Sequence, residues 1–267
     1  MNIIDFHTHI FPDHLAQRAL AVLTENAHGV RPYTDGTLSG LRASMKKNNV
    51  TQSVLLPIAT KASQVRTINE SCAAPASDDC IPFGTLHPDT TDIDQEISLL
   101  RSIGVKGIKL HPEYQNFYID NQRFFPMYEA LSSAGLIVLF HAGKDPGPFT
   151  CDHALPQAFA TIFRNFPRLK MVVAHLGGWM VWDDVERYLV DLPVYFDTAA
   201  VREFLPAAQF LRLSRKHGID RILFGTDSPW YDQGEDLAWL DSMNLSSDEK
   251  EKILFKNAQN LLGETST

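Results

Sequence analysis

Short apolar runs recur along the chain, and each is followed by a segment whose apolar residues have the spacing of a helix, most clearly over 94–102 and 203–217. The runs are continuous instead of alternating, as expected of parallel strands that helices cover on both faces. They predict eight strands, over residues 3–7, 53–58, 81–86, 105–110, 136–140, 170–174, 194–197 and 221–225. Eight such units predict an α/β fold, a (β/α)8 TIM barrel that forms a single domain over residues 1–267.

The segment after the first predicted strand interrupts this regular repeat. It holds two predicted helices, 13–25 and 37–47, with a loop over 26–36 between them. Because the segment after a barrel strand lies over the catalytic face, residues 11–50 are predicted to form either a partial lid insertion or an extra packing layer. At the other end, Ser246 and Glu249 have the spacing of a capping box and predict a closing helix that runs to Leu262.

Composition and charge narrow the class of protein. The chain has 267 residues, 44% of them hydrophobic, and its 24 basic and 32 acidic groups give a formal charge of −8. No cluster of Lys and Arg provides the positive charge that nucleic acids or anionic membranes require. The amino terminus lacks the features of a signal peptide, and Cys72, Cys80 and Cys151 are too scattered for a disulfide framework. We therefore expect a cytoplasmic protein with a small-molecule substrate, and a homo-oligomer is left open.

Six of the ten histidines stand at the ends of predicted strands or immediately beyond them. They are His7, His9, His87, His111, His141 and His175. The carboxyl ends of barrel strands converge on one mouth, where the active sites of this fold lie. The sequence thus predicts a concentration of imidazoles at one place, whereas His14, His28 and His217 fall on predicted helices or loops and need no role.

The segment His7-Thr8-His9 is the sharpest local signal. A spacing of two on an extended strand directs both imidazoles to the same face. His141, His175 and Asp227 follow three other predicted strands and join this pair at the mouth. Imidazoles combined with a carboxylate predict a site for a divalent metal ion, with Zn²⁺ favoured and Mn²⁺ or Fe²⁺ as alternatives.

The order of these motifs resembles the amidohydrolase superfamily, and within it the branch typified by aminocarboxymuconate semialdehyde decarboxylase, which also includes metal-dependent hydrolases. The resemblance covers nearly the whole chain. Its motifs are Asp5-Phe6-His7-Thr8-His9, the histidines at 141 and 175, Gly225-Thr226-Asp227, and Asn257-Ala258 before Leu261-Leu262. The resemblance implies one divalent metal held by His7, His9, His141 and Asp227, with His175 near the metal-bound water and Asp5 orienting a ligand imidazole.

Other polar residues near the predicted mouth have two readings each. In binuclear relatives a lysine at the position of Lys109 is carbamylated and bridges two metals, but Lys109 could instead bind a substrate anion, and His111 either faces the site or caps the strand. Lys144 and Arg202 are candidates for gripping a substrate carboxylate, or else solvated surface charges. Trp179 and Trp230 either line the substrate pocket or pack at its rim.

The chemistry expected from this site is hydrolysis by a metal-activated water that attacks an ester, lactone or amide. Asp227 would accept a proton, and His175 would stabilise the oxyanion or protonate the leaving group. The alternative is non-oxidative decarboxylation of a small aromatic or enolic carboxylic acid, for which the substrate carboxylate must be positioned. A metal-free lactonase and a non-catalytic barrel that binds a small molecule remain as further alternatives.

Overall fold

The computed structural model describes residues 2–27 and 30–263 of the chain. His28, to which we assign no role, lies outside the described residues, as does part of the loop predicted over 26–36. The described strands are β1 (Ile4–Thr8), β2 (Gln52–Leu55), β3 (Cys80–Pro82), β4 (Gly84–Thr85), β5 (Gly107–Leu110), β6 (Ile137–Phe140), β7 (Lys170–Val173), β8 (Tyr195–Asp197) and β9 (Ile222–Leu223).

The helices follow the strands as the sequence pattern predicts. They are α1 (Asp13–Asn26), α2 (Leu38–Asn48), α3 (Val65–Cys72), α4 (Ile93–Ser102), α5 (Pro112–Gln115), α6 (Phe125–Ala134), α7 (Pro156–Asn165), α8 (Trp182–Tyr188), α9 (Ala207–His217), α10 (Gln233–Ser242), α11 (Ser247–Glu251) and α12 (Asn257–Leu262). Short 3-10 turns span Ala62–Gln64, Gln122–Phe124 and Ile219–Arg221. The helix predicted from residue 203 begins only at Ala207, because Pro206 stands at its amino-terminal cap in an extended conformation.

All strand pairings are parallel, and the strands form one sheet in the order β1-β2-β3 and another in the order β4 to β9. The predicted strand over 81–86 is present as two short strands, β3 and β4, separated at Phe83, whose N–H donates to the carbonyl of Leu55. The last strand returns to the first, since Phe6 N–H donates to Phe224 O at 2.8 Å. The predicted (β/α)8 TIM barrel is confirmed.

The closing helix forms as predicted. Ser246 Oγ accepts a hydrogen bond from the Glu249 N–H, and the Glu249 side chain accepts one from the Ser246 N–H, which together satisfy two donors at the start of α11. A π-helical turn over Lys252–Lys256 joins α11 to α12. Ala258, Leu261 and Leu262 of α12 belong to the same apolar cluster as strand residues of the barrel, so this helix packs directly against the sheet.

The segment predicted as an insertion, 11–50, contains α1 and α2 close to the expected bounds. The Tyr33 N–H donates to the carbonyl of Pro229, at 2.7 Å, in the loop that follows β9. This contact places part of the segment against a loop that follows a barrel strand. Its role as a lid stays a prediction. Within the described ranges no helix is both long enough and apolar enough to cross a membrane.

Asn69 supplies hydrogen bonds at the point where the sheet is interrupted. Its side chain, fully buried on α3, donates to the carbonyl of Thr85 at 3.0 Å and accepts from the N–H of Thr85 at 2.9 Å. The same amide nitrogen donates to Glu96 at 2.9 Å. One side chain thus satisfies both backbone groups of a residue in β4.

We expect Asn69→Ala to lower the free energy of unfolding by about 2–4 kcal/mol, since each buried polar group left without a partner costs about 1–3 kcal/mol. Urea unfolding followed by circular dichroism measures this change. The neighbouring exposed Glu70→Ala is the matched control and should stay within about 0.5 kcal/mol of the wild type. Equal stability of the two variants would contradict the role of Asn69.

Candidate metal centre

Three of the predicted metal ligands converge at the mouth of the barrel. His7 lies in β1 and His9 directly beyond it, and both present their Nε2 atoms to Oδ1 of Asp227, at 3.4 Å and 3.2 Å. One nitrogen or oxygen from each of the three lies close enough to share a metal ion. Burial would raise the pKa of Asp227, but the neighbouring histidines, among them His9 by a hydrogen bond, outweigh it and lower that pKa to about 2. The carboxyl group is therefore ionised, as a metal ligand must be.

His141 and His175 lie side by side next to these three residues. His175 Nε2 is 3.1 Å from His141 Nδ1, and the ring of His175 lies 5.3 Å from that of His7 between centroids. His175 Nδ1 contacts the carbonyl of Ala199 at 2.9 Å, and His141 Nε2 contacts the carbonyl of Lys144 at 3.0 Å. The structure thus places His141 between His175 and a backbone carbonyl, not within the group formed by His7, His9 and Asp227.

These contacts constrain the protons of the two rings. A carbonyl oxygen only accepts, so His175 Nδ1 and His141 Nε2 must each carry a proton to satisfy their contacts. The nitrogen-to-nitrogen contact needs a third proton, whereas two neutral imidazoles have only two. Burial lowers the pKa of both histidines. The pair therefore has a place for one more proton and gives that proton up readily.

Asp197, at the end of β8, fixes the orientation of His7. Its Oδ2 accepts from His7 Nδ1 at 2.8 Å, and its Oδ1 accepts from the N–H groups of His175 and Ala199 at 2.8 Å and 3.1 Å. This carboxylate is fully buried. A carboxylate on one ring nitrogen leaves the other, here Nε2, free to bind a metal. Sequence reasoning missed Asp197, and the available signal was a carboxylate that ends a predicted strand.

Asp5 has a different position from the one expected. Its side chain accepts hydrogen bonds from the N–H and hydroxyl of Thr226 at 3.0 Å and 2.6 Å, and from Gln233 at 2.8 Å. Burial raises its pKa to about 6. Asp5 therefore anchors Thr226, the residue before Asp227. Asp227 itself adopts a left-handed conformation with φ of 69°. The contact with a ligand imidazole that we expected of Asp5 is made by Asp197.

Lys109 lies beneath the candidate ligands in β5. Its side chain is 1% exposed, and Nζ is 3.2 Å from His7 Nε2. Burial lowers the pKa of this amine to about 8, although Asp227 and Asp197 act in the opposite direction. Carbamylation requires the neutral amine, whereas an anion would be bound by the charged form. The carbamate role and the anion-binding role of Lys109 both stay predictions.

The other candidates separate into residues at the mouth and residues with structural partners. Arg202 is fully engaged, because its guanidinium bonds to Asp236 and Glu235 at 2.7 Å and to Glu203 at 3.2 Å. Lys144 is exposed, and none of the described residues forms an ion pair with it. His87 Nδ1 accepts from the N–H of Asp89 and so stabilises a turn instead of joining the site.

Two aromatic candidates lie on the loops after β7 and β9. Trp179 donates from Nε1 to the carbonyl of Ala200 at 3.2 Å and meets the ring of Phe204 edge-on. Trp230 is partly buried, and its N–H donates to the carbonyl of Asp227 at 2.9 Å. Trp179 is therefore fixed at the rim by its own contacts, and the pocket-lining role predicted for both residues stays a prediction.

The barrel carries histidines and an aspartate at the carboxyl ends of its strands, the place where enzymes of this fold have their active sites. The chain belongs to the amidohydrolase family, whose model matches residues 4–263. A curated relative is the gamma-resorcylate decarboxylase of Polaromonas sp. (strain JS666), which is 26% identical over 132 residues. This match covers 43% of the chain and only 40% of that relative.

Solved structures share the fold over the whole length of the chain. The 5-carboxyvanillate decarboxylase of Sphingomonas paucimobilis is 16% identical, with a TM-score of 0.77 over 99% of each chain. A dihydroxybenzoic acid decarboxylase of Polaromonas sp. JS666, solved with manganese and the inhibitor 2-nitroresorcinol, is 17% identical, with a TM-score of 0.77 over 100% of this chain and 98% of that one. At such identities the likeness establishes the fold.

The expectation of hydrolysis is wrong in the light of these comparisons. The curated relative and both of these solved structures are decarboxylases. The candidate metal ligands do not distinguish the two reactions, because the same ligands serve both. The correction therefore comes from the relatives, and it favours the decarboxylation that we kept as the alternative.

We expect Asp197→Asn to weaken Mn²⁺ binding by about 10- to 100-fold, as is typical for the loss of a carboxylate behind a ligating histidine. The amide would present an N–H₂ group either to His7 or to the two backbone N–H groups. Equilibrium dialysis against MnCl₂ measures the affinity, and the exposed Asp191→Asn is the control with the same chemical change. Unchanged affinity in Asp197→Asn would show that this carboxylate does not support a ligand.

Proposed function

We propose that this protein is a metal-dependent, non-oxidative decarboxylase of a small aromatic carboxylic acid. The observation that carries the proposal is the position of His175, whose Nε2 faces away from the carbonyl of Ala199 and lies beside the group of candidate metal ligands. The relatives named above act on aromatic acids, and this supports the same class of substrate here. Decarboxylation breaks the bond between the ring and the carboxylate carbon and forms a carbon–hydrogen bond in its place.

The side chains around Asp227 fit a divalent cation. We propose that His7, His9 and Asp227 hold one ion, while His141, the fourth predicted ligand, faces His175 through Nδ1. Imidazoles and a carboxylate accept Zn²⁺, Mn²⁺ or Fe²⁺, and the manganese in the dihydroxybenzoic acid decarboxylase supports Mn²⁺. When bound, the ion would draw electron density from substrate oxygens and so stabilise negative charge on the ring.

His175 is the proposed proton carrier. Its Nδ1 proton is held by the carbonyl of Ala199, so proton transfer takes place at Nε2. A third proton on the pair formed by His175 and His141 would be released easily, because burial lowers the pKa of both rings. Delivery of this proton to the ring carbon as carbon dioxide leaves balances the reaction. Asp197 supports the step by holding the backbone of His175.

Among the cations at the mouth, Lys144 is the proposed contact for the substrate carboxylate. Arg202 already faces three carboxylates, so a substrate anion would have to displace one of them. Lys109 is buried against His7 and contributes positive charge from below. Of the two residues predicted to bind the substrate carboxylate, this assignment keeps Lys144 and sets Arg202 aside.

A substrate panel tests the proposal directly. Protein reconstituted with Mn²⁺ would be incubated with 2,6-dihydroxybenzoate, 5-carboxyvanillate and 2-hydroxybenzoate, each labelled with ¹³C in the carboxylate, alongside an aryl ester, a lactone and an anilide. We expect labelled carbon dioxide and the matching arene from at least one acid, with no hydrolysis above the buffer rate. Hydrolysis without decarboxylation would refute the proposal.

On the active acid, His175→Asn should lower kcat by about 100-fold or more, the usual contribution of a general acid or base. Metal content should be unchanged, because the proposed ligands are intact. His14→Asn, on the exposed face of α1, is the control and should retain full activity. A His175→Asn variant with normal kcat, or one that loses the metal, would contradict the role assigned to His175.

Lys144→Gln should raise KM for that acid by about 10- to 100-fold, since a hydrogen bond to a charged group is worth about 1.5–3 kcal/mol. Arg202→Gln is the matched comparison, and its KM should stay close to that of the wild type, because its charge is already paired within the protein. Steady-state kinetics of both variants decides between them. A raised KM in Arg202→Gln with an unchanged KM in Lys144→Gln would assign carboxylate binding to Arg202.

A further inference from the structure

A second group of side chains that could ligate a metal lies next to the proposed centre. We call it the outer cluster, and it consists of His111, Glu113, His141 and Asp145. His111 directly follows β5, Glu113 is in α5, and His141 and Asp145 follow β6. Of the four, His111 is 7% exposed and Glu113 only 3%. These residues come from two neighbouring strand ends, so their proximity depends on the barrel and not on a single loop.

The ligand atoms of the outer cluster converge on a small volume. The rings of His111 and His141 stack with centroids 4.2 Å apart, and Asp145 Oδ2 lies 3.5 Å from Nε2 of one and 3.7 Å from Nε2 of the other. Nitrogen and oxygen atoms of these three residues are close enough to share one cation. Glu113 Oε2 approaches from another side, 3.7 Å from His141 Nε2.

Hydrogen-bond acceptors outnumber donors in this volume. Glu113 Oε2 and His111 Nδ1 are both buried without a hydrogen-bond partner. The carbonyl of Lys144 also faces His141 Nε2, at 3.0 Å, so that this one nitrogen meets three oxygen atoms. Buried acceptors without donors cost free energy unless a proton or a cation joins them.

The charges of the two carboxylates also favour a bound cation. Among the described residues, neither Glu113 nor Asp145 forms an ion pair with a lysine or an arginine. Both carboxyl groups therefore lack the contact with a lysine or arginine that would supply a counter-charge. A divalent cation bound here would supply that charge and satisfy the orphaned oxygen at the same time.

We propose that the outer cluster is a second divalent-cation site, distinct from the centre at His7, His9 and Asp227. His141 lies between the two, with Nδ1 toward His175 and Nε2 toward Asp145 and Glu113. A cation bound at Nε2 would displace the proton that this nitrogen otherwise donates to the carbonyl of Lys144. The mixture of imidazoles and carboxylates suits Mn²⁺ or Zn²⁺. This site does not use Lys109, whose Nζ lies against His7, so it differs from a pair of metals bridged by a carbamylated lysine.

The metal content of the whole protein tests this inference without reference to activity. After dialysis against MnCl₂ and removal of free metal, elemental mass spectrometry should find two Mn²⁺ per chain in the wild type. Asp145→Asn and Glu113→Gln should each retain one. Asp152→Asn is the matched control, an exposed carboxylate in the same loop, and should retain two. His9→Gln, which removes a ligand of the first centre, should lose one ion but keep the second.

Crystals grown with MnCl₂ would locate the second ion directly. An anomalous peak should lie between His111 and Asp145. One Mn²⁺ per chain in the wild type, with no such peak, would overturn the inference even if the variants failed to fold. Two ions that persist in Asp145→Asn but fall to one in Lys109→Met would also overturn it and would assign the second ion to a carbamate. Because the readout is stoichiometry, failure of the proposed decarboxylase activity leaves this test unaffected.

Discussion

Closure of the barrel between its first and last strands is the constraint on which the site depends. The Phe6 N–H bonds to the carbonyl of Phe224, and the Asp227 N–H bonds to the carbonyl of His7, both at 2.8 Å. These backbone contacts join opposite ends of the chain and set the distance between the carboxylate of Asp227 and the imidazoles of His7 and His9. The side chain of Asp5 reinforces the same junction through Thr226. Any change that breaks these contacts between the first and last strands would move the candidate ligands apart.

Within the closed barrel, buried charges determine the state of each histidine. Asp197 and Asp227 lie on opposite sides of the His7 ring, one at Nδ1 and the other at Nε2. Lys109 adds a positive charge at the Nε2 side, and burial together with this charge lowers the pKa of His7. The imidazole is therefore neutral, with its proton on the Asp197 side. A neutral ring of fixed orientation is what metal binding needs, so the electrostatics prepares the ligand before any ion arrives.

Much of this arrangement could be predicted from the sequence, because it follows from local periodicity. Continuous apolar runs located the strands, and the spacing of His7 and His9 predicted that they share a face. The interruption at Phe83 could not be predicted, because it lies in the pairing of neighbouring strands, and the hydrogen bonds from Asn69 on a helix to Thr85 are equally invisible in the sequence. Sequence likewise gave no way to pair Asp197 with His7, because that contact depends on lateral distances across the barrel. The ion pairs of Arg202 with Asp236 and Glu235 could not be predicted either, because the three residues meet only in the tertiary structure.

The reaction is harder to read from the fold, because hydrolysis and decarboxylation use the same electrophilic centre and differ in the atom that receives the proton. In hydrolysis the proton goes to a departing oxygen or nitrogen, whereas in decarboxylation it goes to carbon, which accepts protons less readily. Proton delivery to carbon needs a donor that gives up its proton readily. In the proposed decarboxylation this donor is the pair formed by His175 and His141, whose rings are buried and share one proton position. The position of the proton on this pair, more than the identity of the metal, would thus decide between hydrolysis and decarboxylation.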